Sequence, residues 1–321
     1  MSEAIVMTEV GGPDVLKLVS RPTPTPGPGQ VLVRVHAVGV NFIDIYRRQG
    51  VYVMPLPYTP GEESAGVIEA VGEGVNGLQV GDRVVSAQAA GSYAEHVVYN
   101  AAGAVRIPDD VSFEQAAGVF LQGLTAHYLC TSVCDVQPGH TVLIHAGAGG
   151  VGLLLTQLCK ARGATVITTT STDEKAALSR AAGADHVLGY TGFGAAVREL
   201  TGGVGVDVAF DGVGKDTFDE SLTSIRRRGT MACFGAASGL VPPVDIMKLH
   251  KNGSLMLTRP NLWDFIATPE DLQWRSGELL GAVGSGKLDV RIGARYPLAE
   301  AGAAQEALLG RGTTGKLLLI P

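Results

Sequence analysis

The chain is poor in cysteine: four in 321 residues, Cys130, Cys134, Cys159 and Cys233. Their neighbourhoods are apolar and helix- or strand-like, and no second ligand pair at zinc spacing accompanies Cys130 and Cys134. They read as buried thiols, not as a disulfide frame or a metal site. Long apolar runs are absent too. None reaches the roughly 18 residues of a membrane span. The opening MSEAIVMTEVGG has no basic segment followed by an apolar core, which argues against a secretory signal and for the cytoplasm. Basic charge is scarce, with 25 Lys and Arg against 31 Asp and Glu, a formal net charge of −6. Neither a nucleic-acid partner nor an anionic membrane fits that balance. The one basic run, Arg226-Arg227-Arg228 before Gly229, reads as a helix end that welcomes cations and a glycine at C′. The seven histidines form no metal spacing, and there is no Ser-His-Asp signature, P-loop or deaminase motif.

What the chain does hold is apolar residues (45%) and 44 glycines. A packed, two-domain protein, or one large α/β domain with an appendage, is the expectation. The two halves differ in rhythm. From 1 to about 120, short runs such as VLVRVHAVGV (31–40), SAGVIEAVGEGV (64–75), GDRVVSA (81–87) and SYAEHVVY (92–99) alternate with turn signals, as in an antiparallel barrel or sandwich. RPTPTPGPGQ (21–30) is an extended connector. From about 124, apolar strands alternate with helical stretches, which predicts right-handed βαβ crossovers and a mainly parallel sheet. The tail from about 262 is mixed and ends in GKLLLIP, a strand expected to rejoin the first domain. The predicted boundaries are 1–123, completed by 262–321, and 124–261.

HAGAGGVG (145–152) sits between the buried strand TVLIHA and the helix GLLLTQLCKARG, the context in which G-x-G-x-x-G binds a dinucleotide. Gly147, Gly149 and Gly152 let the backbone approach a pyrophosphate, and the N–H groups of Gly150, Val151 and Gly152 open the helix towards it. A bare strand-to-helix turn is the competing reading. An NAD site places an acid at the end of the next strand, to bind the ribose 2′-hydroxyl. Here that strand ends in Thr169, Thr170, Ser171 and Thr172, with Lys175 just beyond. Hydroxyls and an ammonium suit a 2′-phosphate, so NADPH is the expected cofactor. An ordinary exposed lysine is the alternative for Lys175.

Several ordered motifs together resemble the zinc-free quinone oxidoreductases of the medium-chain dehydrogenase/reductase superfamily, the ζ-crystallin-like group. They are GVNFIDIYRRQGVY (39–52), PGEESAGVIEAVGEGV (60–75), GDRVV, AGAGGVG, RRRGTMACFG and YPLAEAGAAQEALLGRGTTGKLLLIP (296–321). The resemblance implies a GroES-like β-rich catalytic domain, a doubly wound Rossmann domain and a cleft between them. It also implies reduction of quinones or similar conjugated carbonyl compounds by NADPH. Zinc alcohol dehydrogenases carry a Cys in the segment matching GVNFID and a His in that matching PGEES. Asn41 and Glu62 stand there instead, and AQAAGSYAEH lacks the thiols of the structural zinc lobe, so no metal is expected.

The resemblance also suggests roles. It sets NFIDIY beside the nicotinamide, with Asn41 orienting a substrate carbonyl, Asp44 beside it and Tyr46 bonding cofactor phosphate or ribose. A capped first turn with Asn41 as N-cap is the plainer reading. Tyr52 would wall the substrate pocket, and Thr125 would touch the nicotinamide end. Tyr190 would meet the adenine or 2′-phosphate, or is simply a strand-end aromatic. Gly212, Phe234, Gly235, Thr258, Arg259 and Pro260 follow successive strands, where doubly wound sheets bind ligands. Arg311 resembles a position near the cofactor phosphates, with a solvated arginine as the rival. Relatives pair through an edge strand, for which SLMLT (254–258) is best placed, so a homodimer is expected. Two other roles remain open: an alkenal, enone or enoyl-thioester reductase of the same fold, and a non-catalytic NADPH- or RNA-binding crystallin-like protein.

Overall fold

A computed structural model describes all 321 residues, which divide into two compact units: Met1–Leu124 with Thr268–Pro321, and Thr125–Ala267. The first unit begins with β1 (Ser2–Val6) and β2 (Lys17–Arg21), an antiparallel pair. After the proline-rich connector come β3 (Gln30–Gly39), α1 (Phe42–Arg48), β4 (Ser64–Val71), β5 (Arg83–Ser86), β6 (His96–Asn100) and β7 (Val105–Arg106). Strand β3 is the hub, pairing antiparallel with both β4 and β6. Its alternating apolar residues fill a core with Ile68, Val84, Tyr93 and Tyr99. Burial on one face of a pleated sheet is what period-two patterning produces.

Helix α2 (Phe113–Tyr128) leads to the second unit. There β8 (Thr141–Ile144), α3 (Gly150–Ala161), β9 (Thr165–Thr169), α4 (Asp173–Ala181), β10 (His186–Leu188), α5 (Phe193–Leu200), β11 (Val206–Asp211), α6 (Phe218–Ser224), β12 (Ile225–Cys233), α7 (Met247–Lys251), β13 (Met256–Thr258) and α8 (Leu262–Phe265) follow in turn. The six strands pair in parallel throughout, in the order β10-β9-β8-β11-β12-β13. Sequence order reverses direction between β8 and β11, the switch point of a doubly wound sheet. Leu143, Ile167, Val206, Ala209 and Met231 are buried in its core, as strands covered on both faces require.

The chain then returns to the first unit through α9 (Pro269–Gly284), β14 (Ile292–Pro297), α10 (Ala301–Leu309) and β15 (Lys316–Ile320). Strand β15 pairs with β3 and completes its sheet, as expected of GKLLLIP. The second boundary falls at Thr268 rather than 262. Phe265 stacks on Tyr128 with ring centroids 4.3 Å apart, which keeps α8 with the second unit.

The arginine run is not a helix cap. Helix α6 stops at Ser224, and Arg226, Arg227 and Arg228 lie at the start of β12. Pairing with β11 jumps from Val206↔Ile225 to Val208↔Thr230, so the arginines loop out of the ladder. Arg226 Nε instead meets Asp207 Oδ1 at 2.6 Å. Gly229 is needed because a Cβ there would come within 2.8 Å of the Asp207 carbonyl, and the positive φ belongs to Arg228. The reason is close packing of two strands, not a left-handed C′ turn.

Candidate active site

The glycine loop is built by close approach. A Cβ on Gly147 would sit 2.6 Å from Thr168 Cβ, and one on Gly152 would overlap the Ala146 carbonyl. These two glycines therefore let the loop lie against β9 and let α3 pack against the end of β8. Gly149 is the N-cap of α3, extended and without a side chain to cap it. Nothing upstream accepts the first-turn amides of Gly150, Val151 and Gly152, because a helix start has no intrahelical acceptors for them. Ala146 holds φ +53, a left-handed alanine that tightens the turn. Donors without an intrahelical partner at the positive end of a helix dipole make a cradle for a diphosphate.

Beyond β9 the hydroxyl cluster is only partly available. Thr169 is fully buried, and its Oγ1 lies 2.9 Å from His145 Nδ1. His145 Nε2 is 2.8 Å from Ser221 Oγ, whose own hydroxyl donates to the Thr217 carbonyl. Ser221 must therefore accept from Nε2–H, and the imidazole accepts from Thr169. Burial holds the His145 pKa below its usual value, consistent with a neutral ring. Thr172 caps α4 by accepting from the Lys175 N–H. Of the four hydroxyls, then, Thr169 and Thr170 are buried, while Ser171 and Thr172 stay exposed, with Lys175 Nζ 3.4 Å from the Ser171 Oγ and the Thr172 hydroxyl keeping its own proton to donate. The charge needed for a 2′-phosphate is present, but the donor set is smaller than the sequence suggested.

The remaining expected contacts of this unit share the carboxyl edge of the parallel sheet. Tyr190 lies just past β10 with its ring 6.4 Å from His145, and Gly212 directly follows β11. Phe234 and Gly235 follow β12, Thr258 ends β13, and Arg259 and Pro260 come next. Gly212 and Gly235 are close-packed: a Cβ on the first would strike the Phe234 ring at 2.8 Å, and one on the second the Gly212 carbonyl at 2.6 Å. Asp211, unmarked by the sequence reading, is buried here and accepts from the Val213 and Gly214 amides and the Thr217 hydroxyl. It shapes the β11 turn. Thr125 is buried near the end of α2.

In the first unit Asn41, Asp44, Tyr46 and Tyr52 are brought together around α1. Asp44 is fully buried and accepts from the Asn41 N–H at 3.0 Å, the Gly61 N–H at 3.2 Å and the Tyr93 hydroxyl at 3.1 Å. Burial still pushes its pKa up to about 6, against the pull of the Asn41 and Tyr93 bonds and of Arg47 and Lys316. Tyr46 contacts Phe42 and Tyr52, each with ring centroids 6.1 Å apart, and Tyr52 is exposed. Arg311 lies elsewhere in this unit, in the exposed turn between α10 and β15, at φ +55.

Asn41 is the N-cap of α1, yet its carboxamide turns inward. Nδ2 donates to the Gly39 carbonyl and to Glu63 Oε2, both at 3.0 Å, and Oδ1 accepts from Lys316 Nζ at 2.7 Å. Both amide protons are thus engaged inside the protein. A substrate oxygen taking a bond from Asn41 would have to displace the Gly39 carbonyl or Glu63 from Nδ2. Glu63 and Lys316 were missed by the sequence reading. The only sign of them is a charged residue at the head of an apolar strand, GKLLLIP, and a second acid in PGEES.

Comparison with known proteins agrees with this architecture. The family model for the alcohol dehydrogenase GroES-like domain matches residues 27–109, and that for zinc-binding dehydrogenases matches 150–264. A quinone oxidoreductase of Pseudomonas aeruginosa is 43% identical over the whole of both chains. The chain belongs to the quinone oxidoreductases of the medium-chain dehydrogenase/reductase family. Among solved structures, a mycobacterial protein in complex with NADPH is 53% identical over all of both chains, with a TM-score of 0.98. Quinone oxidoreductase of Escherichia coli in complex with NADPH is 42% identical over 99% of this chain and 100% of its own, with a TM-score of 0.97. A 2-haloacrylate reductase of a Burkholderia species is 40% identical over 100% of this chain and 99% of its own.

Within this family the positions of the zinc alcohol dehydrogenase ligands have another use here. The Glu62 carboxylate pairs with Arg47, which also donates to the Tyr58 hydroxyl at 2.9 Å. Asn41 serves the buried cluster just described. No group of three or more His, Cys, Asp or Glu residues stands close enough to hold a metal ion.

Proposed function

We propose that the protein is an NADPH-dependent quinone oxidoreductase that reduces quinones or closely related conjugated carbonyl compounds. The observation that carries this reading is the glycine-rich amide cradle at residues 147–152, in a chain alignable from end to end with quinone oxidoreductases. The residues fit the cofactor: the amides of Gly150, Val151 and Gly152 would take the diphosphate, and Ser171 with Lys175 the 2′-phosphate. Tyr190, Gly212, Phe234, Gly235, Thr258, Arg259 and Pro260 would flank the dinucleotide along the sheet edge, with Thr125, Tyr46 and Arg311 as further contacts. When bound, NADPH supplies a hydride to the acceptor.

The protein's share is orientation and exclusion of water. Asp44 and Asn41 hold the start of α1, which carries Tyr46, while Tyr52 offers an apolar face to a planar ring. Quinones and enones are already electrophilic, so their reduction needs positioning more than strong polarisation. A second acceptor class, conjugated carboxylates, is favoured by the 40% identity to 2-haloacrylate reductase. A cytoplasmic homodimer is the expected form. Strand β13 ends the parallel sheet, with Met256 58% and Leu257 38% exposed, and a two-fold partner would cover it. No helix is long and apolar enough to cross a membrane.

Consumption of NADPH with a panel of benzo- and naphthoquinones, alkenals and haloacrylates tests the reading. Turnover highest with quinones is the expected result. Turnover confined to acrylates would make it the second reading, and none with any acceptor would overturn both.

A further inference from the structure

Glu63 is fully buried and Lys316 is 1% exposed, and their charged atoms meet at 2.6 Å. Such a pair is a weak source of stability. Removing two charges from water costs about as much as their attraction returns, and apolar residues of similar volume often serve as well. What the pair does uniquely is fix directions. Lys316 presents only donors, so it selects the oxygen of the Asn41 carboxamide. Glu63 Oε2 presents only acceptor capacity and selects the nitrogen. The other carboxylate oxygen, Oε1, accepts from the Leu121 N–H at 2.6 Å, in the middle of α2. One ion pair thus ties the start of α1, which bears Asp44 and Tyr46, to a turn of α2 one helical turn before Thr125. The fold makes room for it at Gly39, where a Cβ would overlap the Glu63 carboxylate and approach Lys316 Cε to 2.7 Å.

We propose that Glu63 and Lys316 are positioning residues for the reduction. The pair locks the Asn41 carboxamide and sets the α1 start and the Leu121 turn of α2 for turnover; its effect falls on kcat more than on NADPH affinity, because the proposed diphosphate and 2′-phosphate contacts, residues 150–152, Ser171 and Lys175, all belong to the other unit. This rests on the reductase reading given above. The warrant for a functional cost is geometric, since displacements of about 1 Å in the elements that orient a substrate can lower rates by as much as ~100-fold.

Three variants perturb the pair differently: Lys316→Met removes the cation, Glu63→Gln removes the anion while keeping shape, and Gly39→Ala crowds both without removing charge. In each, kcat with quinone should fall roughly ten- to hundredfold, while the NADPH Kd, from fluorescence titration, stays within about twofold of wild type. Wild-type kcat with a lowered Tm would mean that the pair is scaffold only and would overturn the proposal. If Lys316→Met does not fold, the neutral double variant Glu63→Gln/Lys316→Met decides. Recovered Tm with kcat still depressed supports positioning, and recovery of both contradicts it.

Amide hydrogen exchange of Gly39→Ala supplies a readout that needs no substrate. Faster exchange at Asp44 and Leu121 is expected, and unchanged exchange at both would refute the coupling. Wild-type turnover measured alongside tests the reductase reading separately. Its absence would sink that reading, and exchange would still judge the pair.

Discussion

Replacing Asp44 with asparagine should change how stability depends on pH, in a direction the structure fixes. The carboxyl is fully buried and its pKa is raised from 3.8 to about 6, chiefly by burial. In the unfolded chain it ionises near its ordinary value. Between about pH 4 and pH 6, therefore, the native state holds a proton that the unfolded state has released. Stability from this group is fully present below the unfolded pKa and is lost as pH rises through the folded one. A shift of about two units corresponds to about 3 kcal/mol, an order-of-magnitude figure for a buried group.

A carboxamide at this position would carry no such dependence. It would also turn an amide nitrogen towards donors among Asn41 N–H, Gly61 N–H and Tyr93 O–H, a penalty that does not vary with pH. The informative quantity is thus the difference in unfolding free energy between wild type and Asp44→Asn, from urea titrations at several pH values. Relative to wild type, the variant should gain about 2–3 kcal/mol from pH 4 to pH 7. A difference that is constant with pH, or that moves the other way, would refute the assignment of a raised pKa to Asp44.

Other perturbations have equally definite outcomes. Lys175→Ala should narrow the preference for NADPH over NADH by roughly 1–2 kcal/mol, the size of one charge-assisted contact; an unchanged preference in paired titrations would remove Lys175 from the site. Gly152→Ala, whose methyl would overlap the Ala146 carbonyl, should weaken NADPH binding and lower Tm together, and wild-type affinity by calorimetry would contradict the cradle. Asn41→Ala should cost about 2–4 kcal/mol of stability as well as turnover, because it strips hydrogen bonds from a buried ion pair. A loss of turnover with unchanged Tm would instead mark Asn41 as a direct substrate donor.

Much of this architecture was legible because its signals are local. TVLI followed by glycines at the fingerprint spacing, then GLLLTQLC, specifies strand, loop and helix within about twenty residues, and each later strand repeats the rhythm. What was not legible depends on tertiary closure. Glu63 and Lys316 are separated by 253 positions and meet only because β15 returns to β3. The inward turn of the Asn41 carboxamide follows from that meeting and leaves no mark in NFID. The arginine run is ambiguous in the sequence for a related reason. Helix α6 ends at Ser224, so cations and a glycine do follow a helix end, but pairing with β11 claims them for a bulged strand. Thr169 looked available to a phosphate because its partner His145 lies 24 positions away, across a strand pair.

The most direct test of the central claim is a single-turnover experiment. Protein loaded with a stoichiometric amount of NADPH is mixed rapidly with excess benzoquinone, and the reduced nicotinamide is followed by absorbance and fluorescence. Loss of one NADPH per site is expected at a rate that saturates with quinone, faster than the same reaction with an alkenal. NADPH that binds but persists in the presence of every quinone would contradict it.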